Sequence, residues 1–137
     1  MKHVLILDTN PAPLRGRLTS LFDGYQGRVQ VEDAGSICQV FRKMLFQNKE
    51  NTKRGYNSYD LFIVCFTSAI EDMEKVHFID YVKRYKPEQP VLIFLHHPKE
   101  WLLRQQVINK SNRFGKITDD QNILEVLLKF LDNGSLN

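Results

Sequence analysis

Seven residues stand where this chain could do chemistry: Asp8 and Thr9, Cys65 and Thr67, His96 and His97, and Lys116. A carboxylate and an ammonium, Asp8 and Lys116, make a structural ion pair or handle an anion. A cysteine is a small hydrophobe when buried, and a nucleophile only where it is accessible and its pKa is lowered. Lys116 would lower that pKa if it pointed at Cys65. Adjacent histidines bind metal only with further ligands at defined geometry, and Asp8 and Cys65 are the plausible companions. The plainer readings carry more weight: Cys65 fills the core, Asp8 pairs with Lys116, and His96-His97 is a polar exit from a strand.

These positions matter because of the elements that precede them. HVLIL (3–7) is a continuous apolar run, as a strand covered on both faces would be. Leu14, Leu18, Leu21 and Phe22 then recur at helical spacing, with Pro13 in the first turn and Gly24 and Gly27 as the break. RVQVEDA (28–34) alternates as a second, less buried strand. Ser36 is placed to cap a helix that carries Ile37, Val40, Phe41, Met44 and Leu45. NKENTKRGYNS (48–58) reads as a polar surface loop, and LFIVCF after Asp60 as the third strand. From Glu71 a helix turns Met73, Val76, Ile79 and Val82 inward. VLIFL (91–95) is a fourth buried strand. Pro98 opens a helix with Trp101, Leu102, Val107 and Ile108 on its apolar face. A short fifth strand is placed around 113–117. Thr118-Asp119-Asp120-Gln121 reads as a capping box, Leu124, Leu127, Leu128 and Leu131 as the last stripe, and Gly134 as the stop.

The order is βα repeated five times. Parallel strands need crossover connections, so this order predicts an open parallel sheet with helices on both faces, a three-layer αβα sandwich. Binding groups in such sheets gather at the C-terminal ends of the strands. That rule selects the seven residues above.

Bulk properties exclude several classes. The 137 residues, 42% hydrophobic and 26% charged, suit one globular domain. A net charge of +3, with basic residues scattered among acidic ones, gives no footprint for direct nucleic-acid binding. The basic loop with Lys49, Lys53 and Arg54 reads as solvated. No apolar run approaches the roughly 20 residues that span a bilayer, and no signal peptide is evident, so the cytoplasm is expected. Two cysteines, Cys38 and Cys65, make no disulfide framework.

The five βα units, LILDTNP, YDLFIVC, QPVLIFL and FGKI together resemble a response-regulator receiver domain, the CheY-like (flavodoxin-like) fold, over nearly the whole chain. The resemblance implies an aspartate phosphoacceptor ending the third strand, two acidic residues after the first strand that hold Mg²⁺, a Ser or Thr ending the fourth, and a Lys ending the fifth. Metal and lysine would neutralise charge on the transferring phosphoryl group. Here Asp8 matches the first acidic residue, but Thr9 stands at the second. Cys65 falls on the acceptor position, Leu95 on the Ser/Thr position, and Lys116 on the lysine, followed by Ile117 rather than proline. Arg113 lies near the switch position. A thiolate is a poor partner for Mg²⁺.

The resemblance is therefore to an atypical, or pseudo-, receiver. It implies a non-enzymatic signalling module in a bacterial regulatory pathway, without aspartyl phosphorylation, cofactor or Mg²⁺. Residues 1–137 would be one such domain, and the resemblance also suits the N-terminal part of a longer regulator; degenerate receivers occur in sigma-54-dependent activators. The partner would be protein, or a second copy, engaged through the helix 4–strand 5–helix 5 face with Trp101, Leu103, Arg104 and Arg113. The alternatives are a conventional phosphorelay receiver, with Asp60, Glu71 or Asp72 as acceptor, and a thiol-based sensor using Cys65. The loop after Asp8 lacks the glycines of a nucleotide or flavin phosphate site.

Overall fold

The three continuous apolar runs are the buried strands of the protein. A computed structural model describes residues 2–23, 28–50, 59–66, 73–85, 87–96, 116–119, 121–134 and 136, with backbone alone at 45–50, 73, 85, 116 and 117. Its strands are β1 (Lys2–Leu7), β2 (Val29–Ala34), β3 (Leu61–Phe66), β4 (Val91–Leu95) and β5 (Lys116–Asp119). They form one all-parallel sheet in the order β2-β1-β3-β4-β5. β3 and β4 are buried at every residue, whereas β2, at the sheet's edge, is mostly half-buried. This is the contrast between apolar runs and alternation that the sequence carries. The described helices are α1 (Ala12–Phe22), α2 (Ile37–Glu50), α3 (Met73–Tyr85) and α4 (Ile123–Asn133). Contacts divide the chain into two units, residues 1–62 and 63–137, with the boundary inside β3.

In the first unit, β1 pairs with β2 from Lys2↔Val29 to Leu7↔Ala34. α1 buries Leu14, Leu18 and Phe22, while Leu21 stays half-exposed. Ser36 caps α2 as expected: its Oγ accepts from the Gln39 N–H at 3.3 Å, and the Gln39 side chain accepts from the Gly35 N–H at 2.7 Å. One of the helix's orphan donors, the Gln39 N–H, is thereby answered, and the Gln39 side chain ties back to the residue before the cap. α2 continues to Glu50, into the stretch read as loop; the remainder of that stretch, 51–58, lies outside the described residues. Asp60 ties the start of β3 to β1, since its carboxylate accepts from the His3 N–H at 2.7 Å while its own N–H donates to the His3 carbonyl at 2.8 Å.

Tyr59, beside Asp60, is buried, and its ring packs 5.6 Å from Phe62. Burial, then the Glu32 carboxylate, pushes its phenol well above the usual value. The folded chain therefore keeps a proton that the unfolded chain loses above about pH 10. Stability falls as pH rises through that range, because the unfolded state binds fewer protons. Burial lowers Lys83 and acts with the opposite sign. Comparing Tyr59→Phe with the parent in urea titrations from pH 8 to 11 isolates the phenol: the variant is expected to lose less stability at the alkaline end.

In the second unit, β4 pairs with β5 from Leu92↔Lys116 to Leu95↔Asp119. The described part of the fifth strand thus runs from Lys116 to Asp119, two residues beyond the stretch read for it. Thr118 and Asp119 are strand, not a capping box. The Asp119 Oδ1 instead accepts from the Gln121 and Asn122 N–H groups, each at 3.1 Å, in the turn before the helix, whose N-cap position is Asn122. α4 buries Leu127 of the expected stripe, together with Ile123, Val126 and Phe130. Leu124, Leu128 and Leu131 are half-exposed. Gly134 ends the helix at φ 70°, a left-handed position that glycine adopts without strain, with its N–H on the Phe130 carbonyl at 2.7 Å. α3 turns Val76, Ile79 and Val82 inward as expected, with Phe78 beside them.

Candidate functional site

The C-terminal ends of β3, β4 and β5 put four side chains on one face of the second unit. The His96 N–H donates to the Phe66 carbonyl at 3.0 Å. In a parallel ladder that bond makes Phe66 the neighbour of Leu95, and Cys65 the neighbour of Phe94. Phe94 in turn pairs with Thr118. Residues in register share a face, and so do residues two apart on a strand. Cys65, Phe94 and Thr118 therefore form a row across three strands, with His96 one step further along β4.

Cys65 is fully buried and Phe94 is 2% exposed, while His96 is half-buried. The Cys65 sulfur and a His96 ring nitrogen lie within 4.8 Å of each other. The His96 ring meets the Phe94 ring edge-on, 4.8 Å between centroids at 83°, which fixes the imidazole's orientation. The Thr118 hydroxyl is buried and makes no hydrogen bond.

Lys75 of α3 completes this group and has no counterpart in the sequence reading. It is 7% exposed, and its Nζ donates to the Cys65 carbonyl at 2.7 Å and lies 5.9 Å from the centre of the Phe66 ring. Its signal was its position: it falls on the same helical face as Ile79 and Val82, where a long side chain buries its stem and carries its charge to a polar end.

In the first unit, Asp8 follows β1 directly and is 1% exposed. Its N–H donates to the Ala34 carbonyl at 3.1 Å, and its carboxylate accepts from the Asn10 N–H at 3.4 Å. Thr9 is exposed. Asp60 is bound to His3 at the opposite end of β1 from Asp8, which removes the support for it as an acceptor beside Asp8. An open groove of about 330 Å³ lies between α1 and β2, lined by Arg15, Phe22 and Asp23 among others. The Arg15 guanidinium there is engaged by Asp33 at 2.7 Å.

Lys116 lies in β5 opposite Leu92, and the strand runs on past it to Asp119 rather than closing there; its side chain is outside the described residues. Also outside them are Gly24, Gly27, Thr67, Glu71, Asp72, His97, Pro98, Trp101, Leu102, Leu103, Arg104, Val107, Ile108 and Arg113. Among the described residues no helix is long and apolar enough to cross a membrane.

The burial difference between the two cysteines is directly measurable. Cys38 is exposed and Cys65 buried. A thiol reagent is expected to label one sulfur at once, lost in Cys38→Ser, and the second only as the chain unfolds. Immediate double labelling would show an accessible Cys65 and favour the thiol-sensor alternative.

The architecture is α/β with a five-stranded all-parallel sheet and four described helices, compatible with a flavodoxin-like fold. No protein-family model and no curated protein matches this chain.

Proposed function

We propose that the chain is an atypical receiver-like module that signals by binding protein, without aspartyl phosphorylation. In this reading the sheet belongs to a three-layer (βα)5 arrangement whose fourth helix falls within 97–115. The observation that carries it is Cys65, fully buried at the penultimate position of the strand where the resemblance implies a carboxylate. A buried thiol offers neither the hard oxygen that Mg²⁺ requires nor an exposed oxygen nucleophile. The continuation of β5 past Lys116 to Asp119 adds to this, because the resemblance implies a lysine at that strand's end.

The partner is a protein or a second copy, and direct nucleic-acid or membrane contact is not part of the reading; the setting is the cytoplasm. The half-exposed leucines 124, 128 and 131 of α4 support an interaction face on the last helix, since they recur at the four- and three-residue spacing that places side chains in one stripe. Trp101, Leu103, Arg104 and Arg113 are the further residues proposed for that face.

Acetyl phosphate with Mg²⁺, read by intact mass, is expected to leave the protein unmodified. Beryllofluoride with Mg²⁺ is expected to leave its amide spectrum unchanged. A covalent phosphate, or metal-dependent shifts at the strand ends, would refute the reading and restore the conventional receiver.

A further inference from the structure

The Cys65–His96 pair has donor chemistry that a protein-binding module does not use. We propose that these two side chains are the protein donors to a transition-metal ion of the zinc class, at the C-terminal ends of β3 and β4. Thiolate and imidazole are both donors that this borderline ion accepts, unlike Mg²⁺. Zinc bonds of about 2.3 Å to sulfur and about 2.0 Å to nitrogen, at a tetrahedral angle, separate the two donors by roughly 3.6 Å. The observed pair lies within 4.8 Å.

Two further features fit. The Phe94 edge holds the imidazole in place, as a ligand's orientation requires. The Thr118 hydroxyl, 94% buried from its 6% exposure, has no hydrogen-bond partner on the same face. A buried polar group left unanswered is costly, and a metal-bound water would answer it. Binding replaces the S–H bond of Cys65 by an S–metal bond and releases one proton to solvent. The remaining positions take oxygen donors, water among them.

The test uses the full chain with Co²⁺ as the optical probe and Zn²⁺ as competitor. One equivalent of Co²⁺ is expected to give a thiolate-to-metal charge-transfer band in the near ultraviolet, which Zn²⁺ abolishes with release of about one proton per ion bound. Cys65→Ser is expected to remove the band and Cys38→Ser to retain it. His96→Gln, at a half-buried position that tolerates the change, is expected to weaken Zn²⁺ binding by at least about 10-fold, and Thr118→Val by about 10-fold, with unchanged circular dichroism. Absence of the band in the parent protein overturns the proposal, as does its loss in Cys38→Ser. If Cys65→Ser does not fold, His96→Gln decides: undiminished affinity overturns the site. The phosphorylation experiment is independent, so either reading can fail alone.

Discussion

Phe94→Ala is expected to lower stability by about 3–5 kcal/mol, the usual cost of removing a fully buried phenyl group from a packed strand. Phe94 is 2% exposed, sits between Cys65 and Thr118 in the row across β3, β4 and β5, and touches the His96 ring. Two losses combine. The side chain's transfer energy disappears, and the paired strands around it relax too little to close the cavity. Phe94→Leu keeps most of the apolar volume and is expected to cost about 1–2 kcal/mol. Urea unfolding checks both: the midpoint should fall in that order while the slope stays constant, because the surface exposed on unfolding changes little. A cost below about 1 kcal/mol for the alanine variant would mean that β4 is not a buried strand.

Apolar runs told more than polar motifs about this chain. HVLIL, LFIVCF and VLIFL all became strands, because a continuous run of such residues has few ways to escape water other than a strand covered on both faces. Ser36 and Gly134 behaved as local caps because cap geometry depends on neighbours a few residues away. The end of the fifth strand was misplaced because KITD has little apolar signal; pairing with β4 carries it to Asp119. ILEVLLKFL is apolar on more than half of its circumference, so the leucines alone did not mark the inward face, and packing selected Ile123, Val126, Leu127 and Phe130. The site divided along the same line. Cys65 and His96 were legible as strand-end residues, since an apolar run marks where a strand stops. Lys75 and Thr118 were not, because one lies on a helix and the other in a strand that local pattern did not place.

Lys75 poses the sharper energetic question, because the residue is only 7% exposed and its ammonium donates to the Cys65 carbonyl at 2.7 Å. Lys75→Ala is expected to cost about 2–4 kcal/mol, combining the lost charge-assisted hydrogen bond with the buried aliphatic stem. Lys75→Met keeps the stem and removes the charge. The hydrogen bond to a charged donor is worth about 1.5–3 kcal/mol, but returning the ammonium to a neutral group also relieves a desolvation penalty of several kcal/mol. The two terms oppose each other, so the methionine variant is expected to lie within about 1 kcal/mol of the parent protein. Urea unfolding of the three proteins at neutral pH makes the comparison. If methionine costs as much as alanine, the ammonium itself anchors α3 to the end of β3. If methionine is neutral or stabilising, burial of the charge is not required by the fold. Its place is then explained by the hydrogen bond it gives to the Cys65 carbonyl, a backbone acceptor near the end of β3.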